Sequence, residues 1–318
     1  MPGYNPGIPV FPGHTMSEAA IPLRQRLWNP EARLAYVLLA PAVLVLLGFM
    51  IYPIVYVFLI SLFKTNKLAQ FKEFVGLRNF VNQLADKEFW QITARSLYWT
   101  AIAVAVKTVL GMIVALLLNV KYAGRKFARM LFIVPWASAV PISAILWGWV
   151  YHPQYGLLNA TLKATGIWAN PPTWLGRPLP AFTACIWVDI WIGIPFMALV
   201  FLAGMQAIAE DLYESAYLDG VNALQKFFYI TLPGIRHLVL IATLLSCLWT
   251  FNDFNTIYIL TRGGPAGATD ILITKLYKNA FEFLKFSPAA VMAVVTFFIL
   301  TALSILYARI YFRQEQAS

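Results

Sequence analysis

Charge is what this sequence lacks most. Lys, Arg, Asp and Glu make up 12% of its 318 residues, against 60% hydrophobic residues. Soluble domains carry about a quarter charged residues, so an ordinary water-exposed globule is excluded. Cysteine and histidine are also scarce, at 2 and 3 residues. Cys185 and Cys247 each sit inside an apolar run and read as packing residues. His14, His152 and His237 are far apart and have no ligand spacing, so no metal site is expected. GxxxxGK[ST], HExxH and CxxC stretches are missing as well. The chain is therefore not expected to hydrolyse nucleotide or to hold a cofactor of its own. Its beginning, "MPGYNPGIPVFPGHTMSEAA", lacks a basic segment followed by an apolar core and is not read as a secretory signal. Its Pro and Gly content reads as a disordered tail, with Met1 or Met16 as the start.

What is present is a series of long apolar runs. Six are long enough to cross a bilayer core as helices: Leu34–Ile60, Ala94–Leu118, Ala128–Val150, Ala181–Ala207, His237–Thr261 and Pro288–Phe312. Barrel strands would need only about 10 alternating residues each. The expected fold is therefore an all-α, multi-pass membrane protein. Residues 1–33 form an N-terminal tail, 34–312 a six-helix membrane domain with a polar loop at about 208–236, and 313–318 a C-terminal tail. Pro41, Pro53, Pro135, Pro141 and Pro195 fall inside the runs, where kinks are expected.

The formal charge of +10 does not point to nucleic acid. The basic residues flank apolar runs, which suits anionic lipid headgroups and topology. The short connector "NVKYAGRKFARM" carries Lys121, Arg125, Lys126 and Arg129, so it is expected in the cytoplasm. Arg24, Arg26, Arg33, Arg309 and Arg313 agree, placing both termini there. The opposite connectors, at about 61–93, 151–180 and 262–287, are longer, mixed in charge and rich in turns.

One connector is unlike the rest. "ESAYLDGVNALQKFFYITLP", Glu214 to Pro233, is polar, structured and longer than a passive link requires. Asp211 is placed to cap a helix, with Glu214 reaching back in capping-box fashion. Asp219-Gly220 should end that helix near Leu218, because glycine accepts the left-handed conformation. Asn222 should cap a second short helix with Gln225 at its third position, Leu224, Phe227 and Phe228 forming its apolar side and Pro233 closing it. Such a unit suits either a lipid interface or a groove on a partner.

This stretch resembles the EAA motif of permease subunits of binding-protein-dependent ABC importers. Glu214, Ala216, Asp219, Gly220, Phe227, Ile230, Leu232 and Pro233 match the motif; Ser215 and Val221 stand where alanine is usual. "APAVLVLLGFMIYPI", "VGLRNF", "WIGIPF" and "IYILTRGGP" are similar to the maltose-like carbohydrate branch. The resemblance implies the type I ABC importer permease fold and a second, homologous permease subunit. It also implies two ATPase subunits that hold the ATP and Mg, and an external binding protein that delivers substrate. The site would be the plasma membrane of a prokaryote, the inner membrane if Gram-negative. The polar loop would then be the cytoplasmic element on which the ATPases act, through a helix-turn-helix coupling unit.

Ionisable groups at membrane depth usually mark pathways or pairs. Lys107, Asp189 and Asp253 are such groups, and Lys107 can pair with either aspartate. Arg95 lies near a span end and is expected to snorkel. Span five also supplies Trp249, Phe251, Asn252, Asn255 and Tyr258, and span four Trp187, Trp191 and Phe196. Aromatic faces beside amide and carboxylate groups suit sugar hydroxyl rings. By resemblance to maltose-like permeases, substrate contacts fall on Ile192, Gly193, Phe196, Trp249, Thr250 and Asp253, with Asn252 beside them. That branch carries asparagines where this chain has Thr250 and Asp253. The expected cargo is a sugar or sugar-like solute. The alternatives are a polyol, a glycerol phosphodiester or another polar solute. A different class is a proton-coupled secondary transporter using Lys107, Asp189 and Asp253 as a relay, and another is a membrane-embedded enzyme.

Overall fold

The computed structural model describes residues 30–316. Met16, His14, Arg24, Arg26 and most of the proposed N-terminal tail lie outside these residues. The chain divides into two units, Met1–Tyr56 and Val57–Ser318.

The first unit contains α1 (Pro30–Leu46), a π-turn at Leu47–Ile51 and the start of α2 (Tyr52–Leu62). These elements join into a 30-residue apolar helix, Arg33–Leu62, long enough to span a bilayer. Pro41 sits inside α1 without ending it.

The second unit begins with a feature the expectation of an all-helical chain did not include. β1 (Phe63–Thr65) and β2 (Phe71–Phe74) pair antiparallel. Phe63 packs on Phe71 and Phe74 at ring-centroid distances of 4.8 and 5.1 Å. The short α3 (Arg78–Ala85) follows. Next is α4 (Lys87–Asn119), whose first turn is capped by Asp86 accepting from Glu88 N. Span two thus starts seven residues ahead of the expected Ala94.

The third expected span is not one helix. α5 (Arg125–Ala137) and α6 (Val140–Val150) meet at 95°, far beyond a proline kink. Pro141 cannot donate a backbone hydrogen bond, and Ser138 and Ala139 adopt extended backbone between the two helices. Five helices are therefore long and apolar enough to cross a membrane among the described residues, and six spans result only if this bent pair is counted as one.

α7 (Leu157–Ala164) leads to α8 (Pro178–Gln206), which carries Pro195 inside it without a break. α9 (Glu210–Leu218) and α10 (Ala223–Lys226) follow. A π-turn at Phe227–Thr231 joins α10 directly to α11 (Leu232–Phe251), so Pro233 does not close a separate short helix as expected. The π-turn just ahead of Pro233 shifts the hydrogen-bond register, so the missing N–H does not end the helix. The fifth long helix starts at Ala223, not at His237, and is interrupted at Asn252 and Asp253 before α12 (Phe254–Thr261). α13 (Leu272–Tyr277), a π-turn at Lys278–Glu282 and α14 (Phe286–Gln316) complete the chain.

α4 and α8 form the central pair of the second unit. Gly111 allows the approach: a Cβ there would stand 2.5 Å from Met197 Cβ and 3.2 Å from the backbone nitrogen of Ala198. Around this crossing Val104, Met112, Ala115, Met197, Phe201 and Ile235 form one buried cluster, which brings α11 onto both helices. A second cluster, including Trp99, Phe182, Ile186, Ile257 and Ile271, ties in α12 and α13. Cys185 and Cys247 are free thiols buried in this packing.

Candidate functional site

Two regions collect the polar residues singled out from the sequence. The first is the segment around α9 and α10. α9 does not begin with the expected capping box. Its N-cap is Ala209 without a side-chain cap, Glu210 and Asp211 occupy its first turn, and Glu214 lies mid-helix and exposed. Helix polarity favours both first-turn carboxylates. Lys121 Nζ donates to Glu210 at 2.9 Å, and this holds the Glu210 carboxyl below its usual range. Ser215 Oγ donates to the carbonyl of Asp211, and Ala216 is buried against the body of the protein.

The end of α9 follows the sequence closely. Gly220 has φ +72°, its N–H donates to Tyr217 O, and Val221 N–H reaches back to Ala216 O. This is a Schellman closure, with Asp219 at the C-cap. Asn222 then caps α10, accepting from Gln225 N while Gln225 Oε1 accepts from Asn222 N. Tyr213 and Thr231 hydroxyls bond at 2.9 Å, clamping α9 to the root of the fifth long helix. Phe227 and Leu232 are half-buried against the main cluster, while Pro233 is exposed. Tyr217, Leu218, Leu224, Phe228 and Tyr229 remain exposed beside the exposed Glu214 and Asp219.

The second region is a cavity of about 650 Å³ among α4, α8 and α11. Ile192, Gly193 and Phe196 line it from α8, Trp249 and Thr250 from the end of α11, and Asn252 and Asp253 from the interruption that follows. Lys107 and Asp189 line it too. Lys107 Nζ lies 2.7 Å from Asp189 Oδ2 as an ion pair and donates a hydrogen bond to Thr250 Oγ1 at 2.6 Å. The side chains of the pair are 4% and 10% exposed, so both charges are largely withdrawn from water. Gly193 leaves room for the lysine: a Cβ at this position would collide with Lys107 Cδ.

The interruption at Asn252 and Asp253 frees carbonyls of the last turn of α11, and side chains take them up. Trp99 Nε1 donates to Thr250 O, and Asn252 Nδ2 donates to Leu248 O. Asp253 Oδ1 accepts from Thr256 N, capping α12. Along one wall Trp136, Phe196 and Trp249 form an aromatic ladder, with centroid spacings of 6.1 and 5.0 Å.

Trp136, Val140 and Ser246 line the cavity without having been anticipated. The first two flank the α5–α6 break, and reading that stretch as one straight span hid them. The only local signal is the pair Pro135 and Pro141 bracketing "WASAV". Asn255 also lines the cavity, whereas other anticipated residues lie elsewhere. Phe251 is core, Tyr258 donates to Glu282, and Trp191 packs on Trp147. The Arg95 guanidinium, at the start of span two, donates to the carbonyls of Gly267 and Asp270, fixing the loop before α13. Among the described residues no His, Cys, Asp and Glu group could hold a metal.

Residues 107–316 match the family described as binding-protein-dependent transport system inner membrane component. The trehalose/maltose transport system permease protein MalF of Thermococcus litoralis is 36% identical over 288 residues, covering 91% of this chain and 97% of that protein. The sulfoquinovosyl glycerol transport system permease protein SmoG of Agrobacterium fabrum is 33% identical, covering 87% and 90%. Among solved structures, a bacterial ABC transporter importing the acidic polysaccharide alginate superposes with a TM-score of 0.78 at 21% identity, over 91% of this chain and 96% of that one. The shared helical plan is that of type I importer permeases. The chain thus belongs to the inner membrane component family of binding-protein-dependent transport systems, and it is a multi-pass permease of an ABC importer, not an enzyme in itself.

Proposed function

We propose that this permease, paired with a second, homologous permease subunit, forms the translocation pathway for a sugar or sugar-like solute. The observation that carries this reading is the aromatic ladder lining the same cavity as Asn252, Asp253 and Asn255. Its volume lies within the range of small-molecule sites, and stacking faces beside hydrogen-bonding groups match a pyranose ring. An external binding protein delivers the solute, and two ATPase subunits holding ATP and Mg drive the cycle. A glycerol-linked or polyol cargo is the second reading, favoured by the likeness to the sulfoquinovosyl glycerol permease.

Trp249 is 53% exposed at the cavity wall, so its removal should leave the core intact. Trp249→Ala should weaken solute interaction by about 1–3 kcal/mol, the scale of one aromatic surface. The check is uptake kinetics at matched membrane abundance, with the cargo chosen by screening sugars and polyols against the binding protein that co-purifies. Unchanged uptake in Trp249→Ala and in Asp253→Ala would move the site elsewhere.

The loop at about 208–236 serves in this reading as the cytoplasmic coupling element, with both chain termini on the same side. Its exposed apolar residues and carboxylates supply a face for the ATPases. Gly220 meets no neighbour within 4 Å of an added Cβ, so a substitution acts through the backbone alone. A carboxylate residue tolerates the left-handed region better than a β-branched one, so Gly220→Val is the stronger variant and Gly220→Asp the milder. Gly220→Val should accumulate normally, retain little ATPase in pull-down and lose most uptake. Full uptake at normal abundance would remove the coupling role.

A further inference from the structure

We propose that the β1–β2 hairpin and the loop before α14 form a site for a phosphate-bearing anion, occupied by the headgroup of an anionic phospholipid. These elements enclose a cavity of about 690 Å³. Lys64, Lys67 and Lys72 line it from the hairpin and Lys285 from the loop before α14, and among the described residues no carboxylate lines it. Among the described residues none of the four ammonium groups has a carboxylate within ion-pair distance, although Glu73 sits opposite Lys64 in the hairpin register and shares its face. Four ammonium groups with one carboxylate, Glu73, beside Lys64 leave the recess net positive, and phosphate oxygens take charge-assisted hydrogen bonds from several donors at once.

The recess is built, not a chance cluster of surface lysines. Ser287 Oγ donates to Phe63 O, accepts from Thr65 N at 3.1 Å and meets Thr65 Oγ1 at 2.9 Å, pinning the hairpin to the root of α14. Asn79 Nδ2 donates to Ser61 O and Phe63 O, fixing the hairpin from α3. On the facing wall, Lys285 N donates to Asn279 O at 2.7 Å. The charged walls therefore hold their spacing without the ligand.

Position and lining favour a lipid as the source. The hairpin starts at the residue after Leu62, where α2 ends, and Phe286 opens α14. With the bent pair α5–α6 counted as one span, both points lie at the membrane surface opposite the α9–α10 segment. Leu68, Phe283, Leu284 and Pro288 share the lining with the lysines. Cations above apolar residues at the bilayer boundary match a headgroup with the start of its acyl chains.

The experiment reconstitutes the full chain in nanodiscs of phosphatidylcholine alone or of phosphatidylcholine and phosphatidylglycerol in equal parts. It reads lipid retained after detergent extraction by native mass spectrometry, and the melting temperature. The wild type should retain phosphatidylglycerol and melt higher in the anionic discs. Each lysine-to-glutamine change among Lys64, Lys67, Lys72 and Lys285 should weaken retention about fivefold, and the fourfold variant should lose the lipid-dependent shift. Exposed Lys163→Gln, outside the recess lining, should behave as wild type. Inorganic phosphate added to phosphatidylcholine discs separates the sources. A shift with phosphate but none with phosphatidylglycerol would overturn the lipid assignment. Equal retention in wild type and the fourfold variant would overturn the site itself. Retention of an acidic protein in place of lipid, lost in the fourfold variant, would overturn the lipid assignment.

Discussion

Lys107→Met should destabilise the folded protein by about 3–5 kcal/mol, the usual cost of removing one partner from a buried ion pair. The variant leaves the Asp189 carboxylate 10% exposed beside a methionine, and Thr250 Oγ1 loses its donor. Lys107→Met combined with Asp189→Leu removes both charges and should recover a good part of the loss, because apolar residues of similar size can replace a buried pair at little cost. Thermal unfolding of the purified single and double variants in detergent is the measurement. If both melt at the same temperature, Lys107 and Asp189 are not energetically coupled. Uptake need not follow stability, since the double variant also changes the polarity of the cavity floor.

Gly111→Val is expected to reduce the folded protein recovered from membranes to a small fraction of wild type. The nearest atoms to its added carbons are Met197 Cβ and the Ala198 backbone, which have no flexible end to swing aside. Relief would require α4 and α8 to move apart along the pair on which the main cluster is assembled. Overpacking of this kind costs about 1–3 kcal/mol or more. Gly111→Ala should fall between the two. At Gly148 the nearest atom is Leu260 Cδ2 at 3.9 Å, so Gly148→Ala is the tolerated control. Size-exclusion profiles of the solubilised protein at matched expression give the comparison, and a wild-type profile for Gly111→Val would mean the helices cross elsewhere.

The helices were legible because a bilayer asks for length and apolarity, and both are local properties of the chain. Their ends were less so. Polar first turns, such as that of α4 from Lys87, continue a helix that hydropathy alone ends sooner. The prolines are where local sequence decides least. Pro41, Pro135 and Pro195 lie within continuous helices, whereas Pro141 follows a 95° bend. The outcome depends on whether neighbouring elements absorb the missing hydrogen bond, which is a tertiary matter. Pro233 follows the same rule, with a π-turn carrying the helix past it.

The end of α9 and the cap of α10 were readable because Asp-Gly and Asn-x-x-Gln act over three or four residues. The start of α9 was not, since Asp211 suits a first-turn position as well as a cap. In the cavity, Lys107 could be named from its depth, but the choice between Asp189 and Asp253 requires knowing how α4, α8 and α11 pack. Trp136 was missed because its neighbourhood to Phe196 arises only when α5 turns aside.

The ion pair also sets a timetable for biogenesis. Lys107 leaves the ribosome 143 residues ahead of Thr250, its hydrogen-bond acceptor. At synthesis rates of about 5–20 residues per second that is an interval of roughly 7–30 s. Throughout it, the helix bearing Lys107 must be accommodated with its ammonium only partly provided for, at an insertion cost of about 2.5–3.5 kcal/mol on translocon scales. Asp189 emerges in the meantime and can end the lysine's isolation before the fifth long helix exists. A nascent chain stalled after α8 is therefore the earliest intermediate in which this charge has a mate. Changes at Asp189 act at that stage of assembly as well as on the finished fold.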